Sequence, residues 1–384
     1  MMKTVKTSRH FKEHVDQVTG AKSYLLSTEV AIQQQGFYFV NPSMSTDGRY
    51  LWFMCSYPPA NQKSLGLVDF LTDEIYHFPE TAGAGESSLV LEETGDVLFT
   101  NSLGIFKRSP NPAEPTVKLW AVPKEIAIGN LPAHLCTHLT RSADGQELLL
   151  DAMVGFDRFV VGSINIYTGE YTEWYRPDYR RNHAQFHPTD KDLVLFAEDH
   201  FTNPVDGSSM PIRFNEDGIY MRLWTMRRGE KEPTLHPPIG KYATHEWWSP
   251  DGKWLLYCHA TMEYGICGKN IETGEEKVFF HTRPWHAHCT RDMSAFVADQ
   301  VKDEDGFYRG CASKVEFINM NTNKAVDIIT LNPRYNTKAN QNIYHTDPHP
   351  RFVGDDKYVV FTSTVSGKLA VTVAVVEDLV ELTK

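Results

Sequence analysis

No stretch of this sequence stays apolar for the about 18 residues that a membrane-spanning helix requires. The opening MMKTVKTSRHFKEHVD also lacks the hydrophobic segment of a secretory signal. Cysteine is sparse: six residues, at 55, 136, 258, 267, 289 and 311, form no CxxC pair and no framework spacing. A reduced, cytoplasmic compartment is therefore expected. Basic excess is missing as well, since 38 lysines and arginines face 49 acidic residues for a net charge of −11. That balance argues against nucleic acid and against anionic membranes as partners. Sustained helical periodicity is absent too. What remains is 384 residues with 41% apolar and 12% aromatic side chains, a globular composition with a large core to bury.

One phrase recurs seven times: a strand-like run, a tight turn, then a second apolar strand. It begins at Asn41 (NPSMSTDGRYLWFMC), Glu86, His138, His183, His245 (HEWWSPDGKWLLYCHA), His286 and His349. Each copy is followed by a second strand pair around a polar turn, as in VVGSINIYTGEYTEW and GICGKNIETGEEKVFF. Asp-Gly and Thr-Gly between apolar residues favour such turns, because glycine adopts positive φ at little cost. Two hairpins per copy make a four-stranded meander, and seven meanders predict an all-β, seven-bladed β-propeller. VDQVTGAKSYLLS (15–27) has the form of a second half without a first. It is expected to pair beside the C-terminal LAVTVAVVEDLVEL, which would place both termini in one blade and remove open sheet edges. A single domain over 1–384 is expected, with 1–14 as a possible arm, in a monomer or small homo-oligomer.

The histidines share a phase. His138, His245, His286 and His349 each lie six residues before the turn aspartates Asp144, Asp251, Asp292 and Asp355, and His183 lies seven before Asp190. This places all five at the start of innermost strands, which in a propeller converge around one mouth of the central channel. A lone histidine there is more often structural, but five crowded imidazoles are costly unless a metal or acid satisfies them. YHTDPHP adds His345 and Asp347 to His349. With His286, and His288 as a further candidate, they form an N/O donor set without thiolate, suited to a divalent manganese, iron or zinc ion. Trp247, Trp248, Trp285 and Tyr344 interleave with these phrases and offer faces on which a sugar could stack. A hydrolase reading fails, since the chain has no GxSxG and no room for an α/β domain. A propeller scaffold that binds protein partners explains the fold but not the histidine phase.

These phrases also carry a resemblance. THEWWSPDG around His245 resembles the THEFW motif of the oligogalacturonate lyases of pectin catabolism. NHAQFHPTD from Asn182, RLW from Arg222, the His286 segment and DPHPRF resemble the same family over most of the chain. The resemblance implies a seven-bladed propeller that cleaves an anionic uronate oligosaccharide by β-elimination, with manganese(II) as cofactor. It implies His245 as the base, His286 and His349 as metal ligands, and Arg222 on the substrate carboxylate. His183, His138, Arg181 and Tyr344 are read as substrate-binding. The family's Gln-x-x-His-Pro-His-Pro pattern reads Tyr344-His345-Thr346-Asp347-Pro348-His349-Pro350 here, so an aspartate stands where a ligand histidine is expected. His345 or Asp347 would complete the metal site. FAEDH (196–200) replaces the family's CHEG. A lyase acting on a different uronate, such as a glucuronate-containing oligosaccharide, is the alternative.

Overall fold

Second strands of the repeats are apolar on both faces, and the structure buries them. In Glu147–Val154, Leu193–Glu198 and Trp254–His259 nearly every residue is shielded from solvent. The fourth strands, such as Tyr171–Tyr175 and Glu276–Phe280, are half-buried or exposed. That gradient is what stacked meanders produce when inner strands are covered on two sides and outer strands on one.

The computed structural model describes all residues except 1, 32, 57–61, 86, 128–131, 204–205, 303–309 and 336–345. Among the described residues are seven antiparallel sheets of four or five strands and one small two-stranded ribbon, Phe201–Thr202 with Ser209–Met210. This is the strand inventory of a seven-bladed β-propeller, and each copy of the sequence phrase supplies one sheet. The chain groups into two compact units. One comprises Met1–Val97, Arg108–Thr116 and Pro284–Lys384; the other comprises Leu98–Lys107 and Val117–Arg283.

In the first unit, the terminal strands share the five-stranded sheet. Its order is Phe11–Val15, Lys22–Leu26, Ala370–Val375, Tyr358–Ser363, Arg351–Val353, with Ser23 opposite Ala374 and Leu25 opposite Thr372. Both termini therefore lie in one blade, as the orphan half-phrase predicts. The first fourteen residues, expected as an arm, include part of Phe11–Val15 and bury Val5 in the core. The C-terminal run departs from expectation. Only Ala370–Val375 is strand, and Val376–Leu382 turns into a short helix. Glu377 and Asp378 lie in its first turn, where carboxylates complement the helix dipole, and Leu379 is buried against Val315 and Phe361. Seven residues are too few to show helical periodicity in the sequence.

The second unit contains the sheets of Pro132–His134, Arg181–Phe186 and Thr244–Trp248 with their partners. Adjacent sheets there meet at a turn: His187 Nε2 donates to the Gly252 carbonyl at 2.8 Å. A Cβ on Gly252 would lie 2.2 Å from the His187 ring, and its φ of 75° is left-handed, so this Asp-Gly turn has two reasons for glycine. Among the described residues no cysteine forms a disulfide, and no helix is long and apolar enough to cross a membrane.

Candidate functional site

The phase of the histidines translates into backbone strain. His183, His245 and His349 have φ of 55°, 49° and 49°, a conformation that non-glycine residues avoid at a cost of about 1–3 kcal/mol each. His183 lies in Arg181–Phe186 where the register shifts between Asn182 and Gln185. His245 lies in Thr244–Trp248 where it shifts between Thr244 and Trp247. Both are bulges, which aim a side chain away from the regular pleat. His349 stands between Pro348 and Pro350, and His286 immediately precedes Ala287–Cys289. His138 corrects the expectation of a strand start. It follows Pro132–His134 and precedes the Arg141–Leu148 bridge, because Asp151 draws in the backbone N–H and hydroxyl of Thr137.

In the first unit the structure brings together His286, Asp347 and His349, all buried, with one potential donor atom from each within 4.8 Å of the others. The His286 and His349 ring centroids are 4.3 Å apart. Tyr38 packs 4.6 Å from the His349 ring, and Phe39 5.4 Å from that of His286. Asp299 accepts the His286 backbone N–H at 2.7 Å, the His286 Nδ1–H at 2.9 Å and the His349 backbone N–H at 3.0 Å. Two imidazoles and one carboxylate form an N/O set that fits a divalent first-row ion and contains no thiolate to favour a structural zinc site. His288 packs 6.2 Å from the Phe352 ring instead, and burial next to Arg351 pushes its imidazole well below its usual range. His345 and Tyr344 lie outside the described residues.

The second unit gathers His138, His183, His245 and Arg222. The His138 and His183 rings are 4.7 Å apart, and His183 and His245 stack at 6.4 Å. Glu246, next to His245, lies 3.0 Å from His183 Nδ1 and accepts from Arg222 Nε at 2.7 Å. Arg222 Nη2 approaches His183 Nδ1 at 3.1 Å, and Nη1 reaches the Tyr220 hydroxyl at 3.4 Å and Asp199 at 3.5 Å. Burial raises the Glu246 carboxyl, but Arg222 and His183 outweigh it and hold it down at about 2. Burial likewise opposes the Arg222 charge, and Glu246 and Asp199 more than restore it, so its pKa stands well above the ordinary guanidinium value. Arg181 is committed elsewhere: it is buried, paired with Glu198 and placed over the Trp224 ring at 4.9 Å. Glu198 also accepts from Arg213 Nε at 2.5 Å and Nη2 at 2.6 Å.

Asp299 and Glu246 were not singled out by sequence reasoning. Their only sequence signals are position: Glu246 adjoins a phased histidine, and Asp299 lies seven residues beyond a turn aspartate.

Residues 157–380 match the family model described as oligogalacturonate lyase. The chain belongs to the oligogalacturonate lyase family. It is 27% identical to the oligogalacturonate lyase of Dickeya dadantii (strain 3937) over 99% of this chain and all of that one. It is 28% identical to the oligogalacturonide lyase of Pectobacterium atrosepticum over 56% of this chain and 55% of the relative. In fold it is similar to a solved oligogalacturonate lyase in complex with manganese, with TM-score 0.73, 19% identity, and coverage of 95% of this chain and 96% of that one. A second solved member of the family, from Vibrio parahaemolyticus, gives a TM-score of 0.72 at 19% identity and the same coverage.

Proposed function

We propose that this protein is a divalent-metal-dependent lyase that cleaves short oligogalacturonates by β-elimination, leaving a 4,5-unsaturated uronate. The observation that carries the reading is the buried trio His286, Asp347 and His349 in a member of this family. The proton beside a uronate carboxylate is weakly acidic, and the ionised carboxylate makes it less so. A bound divalent cation supplies charge neutralisation for the carboxylate and so stabilises the developing enolate-like charge. His286, Asp347 and His349 would hold that ion. The manganese complex of a structural relative and the N/O donor set support manganese(II).

His245 is assigned the base: imidazole accepts a proton near neutral pH, and the bulge gives this side chain an orientation of its own. Arg222 is assigned to a uronate carboxylate of the substrate, which its planar guanidinium matches in shape. Glu246 and Asp199 keep Arg222 charged in the interior, and Glu246 ties it to His183. His183 and His138 are assigned to the sugar hydroxyls. In a chain of net charge −11, local cations are needed to hold a polyanionic substrate. We assign the protein to the cytoplasm, where its six free cysteines would stay reduced.

A second reading keeps the elimination and changes the uronate. It is favoured by Asp347, which puts a carboxylate where the family motif has a histidine and so alters the charge presented to substrate. The test is ultraviolet absorbance from an unsaturated uronate when the protein, with and without chelator, meets galacturonate and glucuronate oligosaccharides. Metal-dependent absorbance on oligogalacturonates is expected. No absorbance on any uronate, with metal supplied, would overturn the lyase reading.

A further inference from the structure

A side-chain strap, twice an aspartate and once a threonine, recurs in the fold. Asp151, Asp299 and Thr362 each lie seven residues after a turn aspartate, on the second strand of their sheets. Each accepts a backbone N–H from the following sheet. Asp151 takes that of Ala184 at 3.2 Å, Asp299 that of His349 at 3.0 Å, and Thr362 that of Gly36 at 3.0 Å. Asp151 adds the N–H of Thr137 at 2.5 Å, and Asp299 adds that of His286 at 2.7 Å. As a strap, the position is structural and belongs to the repeat.

Asp299 does something the others do not. Its carboxylate also contacts His286 Nδ1, at 2.9 Å from Oδ2 and 3.2 Å from Oδ1. A carboxylate can only accept, so Nδ1 must carry the proton, and in the neutral ring Nε2 then has the lone pair that a metal needs. The same carboxylate fixes the backbone of His349, whose left-handed φ of 49° needs an external hold. One side chain therefore sets the tautomer of one metal-ligating candidate and the backbone placement of another.

We infer that Asp299 is a positioning residue for the metal site: it presents His286 through Nε2 and seats His349, while Asp151 is a strap alone. The inference rests on the metal reading above. Removing such an outer carboxylate typically weakens metal binding by about 10–100-fold.

The test is manganese(II) titration of metal-stripped wild type, Asp299→Asn and Asp151→Asn, with a thermal midpoint for each. Asparagine keeps an acceptor for backbone N–H groups but presents either that or a donor to Nδ1, so it cannot enforce the tautomer. Asp299→Asn should bind manganese(II) about 10–100-fold more weakly, whereas Asp151→Asn should lose stability and keep its affinity. Nitrogen-15 spectra of histidine-labelled wild type, with His286 assigned by its loss in His286→Gln, should show the Nδ1–H form. They decide the matter even if Asp299→Asn fails to fold. Unchanged affinity in Asp299→Asn, or an Nε2–H tautomer in wild type, overturns the inference while leaving the metal site standing. A wild-type chain that takes up no manganese(II) overturns the metal reading, and this inference with it.

Discussion

His286 and His349 share one carboxylate, Asp299, and lie among the rings of Tyr38 and Phe39, whereas His183, stacked on His245, lies beside an arginine and the carboxylate of Glu246. The same repeat position thus carries two kinds of site. In the first unit, imidazoles and carboxylates gather as acceptors, an arrangement that a cation completes. In the second unit a cation is already built in, as Arg222, and Glu246 and Asp199 make its burial tolerable. Repetition supplies the geometry, and the neighbours of each histidine decide its chemistry.

Removing the donors of the first group should have the largest effect. The double variant His286→Ala/His349→Ala should lose its metal stoichiometrically and its turnover with it, whereas His138→Ala should retain metal. Metal analysis of the purified variants checks this, and retention of metal by the double variant would place the ion elsewhere.

In the second group, Arg222→Ala leaves the buried Glu246 without its main partner, so stability should fall by about 3–5 kcal/mol, read by urea denaturation. Arg222→Lys keeps the charge and loses the fork. It should cost less stability, and activity should fall, though by less than in Arg222→Ala. Equal activity in the arginine and lysine forms would show that charge alone matters.

The electrostatics of the second group also predict a pH signature. The folded Glu246 carboxyl, at about 2, lies below its unfolded value of 4.5. Its contribution is therefore fully present above that unfolded value and is lost as pH falls through the folded one. The difference corresponds to on the order of 3 kcal/mol. Between about pH 5 and 2, Glu246→Gln should show a shallower loss of stability than wild type. Parallel curves would mean that Arg222 does not hold Glu246 as described.

Backbone strain gives the smallest effect. Met293 occupies the slot taken by Gly48, Gly145 and Gly252 in other turns, and its φ is 58° against their 72–75°. Met293→Gly should stabilise the fold by about 0.5 kcal/mol, the relief of left-handed strain less the entropy that glycine adds, with metal content and turnover unchanged. A strained turn that serves no site should be improvable, whereas the strained His245 should not.

Much of this was legible because repetition amplifies weak signals. Seven turn phrases identified seven sheets, and a shared phase picked out the histidines. The split into two groups was not legible, since it depends on Asp299 and Glu246 reaching residues 13 to 63 positions away in sequence. Nor were the bulges at His183 and His245, which alternation of side chains cannot reveal. Nor was the environment of Arg181, read as substrate-binding, whose guanidinium pairs with Glu198 and lies over the Trp224 ring.

The central claim is that a metal-dependent elimination uses His245 as its base. Turnover on an oligogalacturonate, together with metal content, for His245→Ala tests it most directly. The account predicts a fall of about 10²–10⁴-fold in rate with metal retained. Near-wild-type turnover with metal intact would contradict it and leave His245 a structural residue of its bulge.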